Sequence, residues 1–176
     1  MLVATTTRLH IRHALPGDAP FILELLNTPG WLRFIGNRNI ATLDDAMGYL
    51  QERVFTSYEQ FGHGLNTITL LDGTPIGLSG ILKRDSLPLP DIGFAFLPQH
   101  SGKGYAYESA ASILQDAHTR LGYTQMAAIT DQDNVHSIKL LKKLGFALEK
   151  LIQLPGESME LNYFVKELGT EANSAN

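Results

Sequence analysis

Ile92-Gly-Phe-Ala-Phe-Leu-Pro-Gln-His-Ser-Gly-Lys-Gly-Tyr-Ala-Tyr-Glu-Ser109 is the stretch whose reading decides the fold. An apolar run from Asp91 to Leu97 reads as a strand and stops at Pro98, which cannot donate a ladder hydrogen bond. Beyond Gly102-Lys103-Gly104 apolar residues recur at helical spacing from Tyr105 to Leu121, with Gly122 as the C-terminal stop. Strand, glycine loop and helix in that order form an anion-binding arrangement. The first helical turn exposes N–H groups without partners, and the aligned peptide dipoles add positive potential, contributing about 0.3 to 2 kcal/mol per anionic group. Gly102 and Gly104 leave no Cβ between those amides and a phosphate, and Lys103 adds a cation.

Outward from this stretch the chain alternates between two periods. Arg8 to Ala14 alternates in twos, and a short helix follows in which Asp18 is the expected cap and Phe21, Ile22, Leu25 and Leu26 share a face. Trp31 to Ile40 reads as a loop; Thr42 opens a second helix that runs to Phe61. A hairpin turning at Asp72-Gly73 comes next, then the strand of the central stretch and its helix. Gln125 to Thr130 is a strand, Asn134 to Leu144 a helix, and two strands near Phe146–Gln153 and Ser158–Lys166 close the order. This is a mixed-sheet α/β domain without internal repeats.

At 176 residues and 19.4 kDa the chain has the size of one domain, taken as residues 1–168 with a flexible polar tail at 169–176. With 44% hydrophobic and 18% charged residues it is globular in composition, which excludes a mainly disordered chain. The formal charge of −4 lacks the excess cation that bulk nucleic-acid binding requires. Cysteine is absent, so thiolate chemistry and Cys-based metal sites are excluded, and the six histidines are too dispersed to suggest a metal. With no run of membrane-spanning length, no membrane association and a cytoplasmic location are expected.

Spacing separates the phosphate loops. A Walker A loop has Gly, then four residues, then Gly-Lys-Ser/Thr; here Leu97 takes the first Gly position and Gly104 follows the Lys. A dinucleotide fingerprint needs Gly at 107, where Tyr stands. What remains, Gln-x-x-Gly-x-Gly-Tyr-Ala at 99–106, resembles the signature of the GNAT superfamily of N-acetyltransferases. Asn134-Val-His-Ser-Ile-Lys-Leu-Leu-Lys-Lys-Leu-Gly-Phe146 is similar to the second block of that family, most of all to its ribosomal-protein N-terminal acetyltransferase branch.

The resemblance implies a GNAT fold: a mixed, mostly antiparallel seven-stranded sheet with about four helices and a splayed parallel strand pair, 91–97 against 125–130. It implies acetyl-CoA as co-substrate, bound by Phe96, Leu97, Gln99, His100, Ser101, Gly102, Lys103, Gly104, Tyr105, Ala106 and Asn134, and no metal. The acceptor is a small-molecule amine or a protein N-terminus. Deprotonating a lysine-type amine at neutral pH costs roughly 4.6 kcal/mol and an α-amine about 1 kcal/mol, so the α-amine asks less of a base. Asp91 is the first candidate for a water-relayed base, its other reading being a surface residue at the strand start; His63 is a second candidate. Many family members carry a Tyr acid where this chain has Leu141, which passes the role to Ser137 or leaves Ser137 as a small residue beneath the cofactor. Trp31, Arg33 and Phe34, with Arg38, either line the acceptor groove or, for the aromatic pair, anchor the core. The Leu141 departure keeps a non-catalytic CoA-sensing or interaction module as the alternative. A monomer or homodimer is expected.

Overall fold

The computed structural model describes residues 1–169. Most of the expected tail at 169–176 therefore lies outside the described residues. Among the described residues eight strands form one sheet: β1 (Leu2–Thr5), β2 (Leu9–His13), β3 (Leu65–Leu70), β4 (Pro75–Leu82), β5 (Asp91–Phe96), β6 (Gln125–Asp131), β7 (Ala147–Gln153) and β8 (Glu160–Glu167). Their order is β1-β2-β3-β4-β5-β6-β8-β7, and every neighbouring pair is antiparallel except β5 with β6. The eighth strand, beyond the seven expected, is β1. Four residues are too short to show a period, and β1 is held by pairing to β2 with a bulge between Leu2 and Ala4.

Helices cover the sheet unequally. α5 (Tyr105–Thr119) and α6 (Val135–Lys143) lie on one face, where Ile113, Leu114 and Leu141 meet Ile81, Ile92, Met126 and Phe164. On the other face α1 (Ala19–Leu26), α2 (Pro29–Phe34), α3 (Leu43–Tyr49) and α4 (Thr56–Phe61) bury Ile22, Leu25, Trp31, Leu50 and Val54 against Leu78 and Leu97. Among the described residues no helix covers the C-terminal half of that second face, where Leu87, Leu89 and Leu154 pack with Ala127 and Tyr163. No helix is long and apolar enough to cross a membrane among the described residues.

Two local differences from the sequence reading have clear causes. The stretch expected to be a loop begins with α2, whose Thr28 side chain caps the Trp31 N–H and whose Pro29 is pre-set for a first turn. Together with the single rod that α3, a π-type segment at Leu50–Phe55 and α4 make, this gives five helical rods rather than four. Asp18 stands at the start of α1 but does not cap it. Its carboxylate takes a paired contact from the Arg12 guanidinium at 2.8 Å, the Leu15 N–H at 2.9 Å and the Thr67 hydroxyl at 2.9 Å, tying the first helix to β2 and β3.

Burial alone would raise the Asp18 pKa, but the hydrogen bonds from Arg12, Leu15 and Thr67 outweigh it and hold the carboxyl below its ordinary range. The contribution is full above the unfolded-state value near 3.9 and fades as pH falls through the lower folded-state value. Urea unfolding should therefore show wild-type stability dropping below about pH 4, and Asp18→Asn should lose about 2 to 3 kcal/mol at neutral pH with a flatter acid limb.

Candidate functional site

The site begins where β5 and β6 part. Only Asp91 and Ala127 are paired across them, although both strands run on for several residues. Leu97 donates its N–H to the Ile76 carbonyl at 3.0 Å, while the Pro90 carbonyl accepts from Ala127 at 2.9 Å. Alternation then turns the main-chain groups of odd-numbered residues to β4 and those of Phe94 and Phe96 into the gap. The Phe96 main chain is therefore open to the gap. The Leu97 N–H is taken and its side chain is buried among the helices of the second face. The Phe94 main chain also faces the gap, which only the strand register reveals.

Above the gap, Pro98–His100 form a single turn and the chain rises through Gly102 (φ +73°) and Gly104 (φ +83°) into α5. Both glycines are in the left-handed region, where a Cβ is strained. Among the described residues no acceptor receives the N–H groups of Gly102, Lys103, Gly104, Tyr105, Ala106 or Tyr107. A methyl group at Gly102 would meet only open space. Gln99 and Ser101 to Gly104 are exposed, and His100, Tyr105 and Ala106 half-buried, so this run of donors faces outward.

A clasp not anticipated from the sequence fixes the loop. The Arg8 Nε–H donates to Glu108 Oε2 at 2.7 Å and another of its N–H groups to the Lys103 carbonyl at 2.9 Å, with the guanidinium 4.6 Å from the Tyr105 ring centre. The Arg8 backbone N–H and the Thr6 hydroxyl complete the shell of Glu108. Partial burial works to raise the Glu108 pKa, yet these hydrogen bonds leave it below its ordinary value. An unpaired carboxylate in the first turn of α5 would repel an anionic ligand; Arg8 neutralises it. An acid in a first helical turn is a local signal, but its partner a hundred residues earlier carries none.

The remaining candidates separate by face. Asn134 caps α6, its side-chain oxygen accepting from the Ser137 N–H at 3.2 Å, and Ser137 is half-buried in the first turn. Leu141, in the position where many family members have Tyr, is fully buried in the core. Asp91 is 1% exposed rather than at the surface, and Arg84 Nε lies 2.9 Å from its Oδ1. Burial pushes its carboxyl up against the opposing pull of Arg84. Its neighbour Ile92 faces α5, so Asp91 faces the opposite side of the sheet from Ser137.

Trp31 is a core residue of the second face, not a groove wall. Arg33 and half-buried Phe34 stack on each other at 5.1 Å, and exposed Arg33 reaches Asp133, just before α6, at 3.7 Å. His63 is buried on the Ile81 carbonyl and the Tyr123 hydroxyl, beside the C-terminal turns of α5 and away from the glycine loop; burial lowers its pKa. Among the described residues no group of three His, Asp or Glu side chains is arranged to hold a metal.

Comparison with known proteins identifies a family and a shared fold. The family model described as an acetyltransferase (GNAT) domain matches residues 8–147. YoaA of Bacillus subtilis (strain 168), an uncharacterized N-acetyltransferase, is 25% identical over 158 residues, covering 86% of each chain. Among solved structures, RimL, a ribosomal L7/L12 alpha-N-protein acetyltransferase in complex with coenzyme A, aligns with a TM-score of 0.75 at 14% identity over 96% of this chain and 98% of that one. A spermidine N-acetyltransferase chimera from Vibrio cholerae SpeG and hSSAT aligns at 0.74 and 16% identity, over 92% and 96%.

Replacing Gly102 by Ala puts about 1 to 2 kcal/mol of backbone strain into the donor loop. Gly102→Ala is expected to weaken coenzyme A binding by roughly five- to thirtyfold in calorimetry. Gly156→Ala, equally strained at φ +80° but in the β7–β8 turn, should lower the melting temperature without changing that affinity.

Proposed function

The chain belongs to the GNAT acetyltransferase family, and from that premise we propose that it moves the acetyl group of acetyl-CoA to a primary amine by direct attack within a ternary complex. The reading is carried by one observation: a strand pair that parts after a single paired position, capped by six successive N–H groups without acceptors among the described residues. Acetyl-CoA is the substrate that suits both features, a diphosphate for the amides and a peptide-like arm for the gap. Gly102 to Tyr107 receive the diphosphate oxygens, with Lys103 as counter-charge and Arg8 holding the loop in shape. The main chain of Phe94 and Phe96 pairs with the arm and polarises the thioester carbonyl.

In the proposed step the amine nitrogen forms a bond to the acetyl carbon and the carbon–sulfur bond breaks. The proton leaving nitrogen passes through water to Asp91, whose raised pKa makes it a better acceptor than an ordinary surface aspartate. The departing sulfur takes a proton through the Ser137 hydroxyl, on the other side of the sheet; water reprotonates Ser137 as it donates, and Asp91 returns the proton taken from nitrogen to water, so both side chains end as they began. Arg84 keeps Asp91 oriented, and Arg33 with Phe34 borders the mouth near Asp133. An α-amine asks less of this single, water-relayed carboxylate than an alkylamine does, because its proton is the easier one to remove. The fully buried Leu141 favours one second reading, a CoA-binding module without turnover, because no acid can act from that position.

Release of coenzyme A from acetyl-CoA with a panel of amines and N-terminal peptides tests the proposal. Ser137→Ala and Asp91→Asn should each lower kcat by about a hundredfold. Coenzyme A affinity is expected to stay unchanged in both. The wild-type rate should fall on the acid side as Asp91 protonates, and that limb should vanish in Asp91→Asn. Normal rates in both variants would refute these roles; tight acetyl-CoA binding with no turnover of any amine would favour the second reading.

A further inference from the structure

Where the second sheet face has no described helix, a cavity of about 360 Å³ lies between the segment preceding β5 and the outer strands, lined by Ser86, Leu87, Lys150, Ile152, Gln153 and Tyr163 among others. Tyr163 is 2% exposed, and its hydroxyl has no hydrogen-bond partner among the described residues. Buried phenols ordinarily find one, so this oxygen is open to a group that enters the cavity. Lys150 is the one charged side chain in the lining; its Nζ lies 5.4 Å from the Tyr163 ring centre, and no described carboxylate pairs with it. Glu149 and Asp91 are near enough to affect the phenol but do not line the cavity, and Asp91 is already held by Arg84.

The strand register shows how this pair is made. Leu148 pairs with Phe164 but Lys150 with Tyr163, so Glu149 is an extra residue in β7. In a regular ladder Glu149 would stand opposite Tyr163 and Lys150 would point to the α6 face; the bulge brings Lys150 over Tyr163 instead. Tyr163 is also opposite Ile129 of β6, on the face that carries Asp91. At about 4.8 Å per strand, Tyr163 and Lys150 stand about 5 to 10 Å from the gap where the thioester is placed.

Resting on the acetyl-transfer reading, we infer that this cavity holds the non-reacting end of the acceptor, and that the acceptor is a primary amine whose apolar body ends in a carboxylate. Leu87 and Ile152 pack the body, Lys150 pairs with the carboxylate, and the Tyr163 hydroxyl donates to it. A polyamine would set its second ammonium against Lys150 with no carboxylate in the lining to receive it.

Three amines of matched length read this directly: ω-aminohexanoate, hexylamine as the neutral reference, and α,ω-diaminohexane. The wild-type protein should favour the carboxylate over the diamine by about tenfold or more in kcat/KM, each taken relative to hexylamine. Lys150→Glu should reverse that order, and Tyr163→Phe should raise KM for ω-aminohexanoate more than for hexylamine. Turnover of hexylamine with an order that Lys150→Glu leaves unmoved would overturn the inference while acetyl transfer stands. Calorimetry with acetamidohexanoate reads the cavity without turnover. Binding weakened about tenfold by Lys150→Glu supports the inference even where no amine reacts, a result that counts against acetyl transfer alone; no binding overturns it even where hexylamine reacts.

Discussion

A parallel strand pair that keeps one contact and then diverges leaves backbone donors and acceptors facing a gap, and buried groups of that kind are costly unless something pairs with them. Here the cost falls at Phe94 and Phe96, and the surrounding fold holds the gap open. β5 is fully paired to β4 on its other side, β6 is fully paired to β8, and the two stay joined at Asp91 and Ala127. Neither strand can swing inward without giving up a complete ladder. The glycine loop depends on the same divergence, since the turn after Leu97 starts from a β5 that has already left its neighbour.

The opening also divides the chemistry between two faces. α6 brings Asn134 and Ser137 from the side that it shares with α5, while Asp91, Tyr163 and the uncovered cavity lie on the other. In the proposed reaction, an arm lying between the strands is thereby approached by a proton donor from one side and by a nucleophile with its base from the other. One helix-capped loop, tied down by Arg8 and Glu108, sits at the top of both.

How much of this could be read in the residues depends on the range of the interaction. The strand–loop–helix unit at 92–109 and the capped helix at Asn134 are local, and the periodicity and spacing that reveal them sit within a few turns of chain. Contacts made by tertiary proximity left little trace. Arg8 meets Glu108 across the whole first half of the fold, Asp91 is buried by Arg84 and the sheet although it begins a strand, and Trp31 turns inward because α2 has a core to pack against. Which of Phe94 and Leu97 faces the gap is hidden for a subtler reason. Adjacent residues of a strand are indistinguishable in composition, and only the pairing parity set by Ile76 and Pro90 tells which of them faces the gap. β1 was invisible because nothing in four residues distinguishes a strand from a coil.

The extra residue in β7 has an effect on the outside of the molecule as well. β7 is the last strand of the sheet, and Leu148 and Leu151 are exposed along it, the combination that invites a stranger's backbone to dock and propagate. An interrupted rung, with Glu149 and Lys150 side by side at the interruption, spoils the flat repeat that such docking needs. The same irregularity that sets Lys150 over Tyr163 thus guards the sheet's rim against self-association.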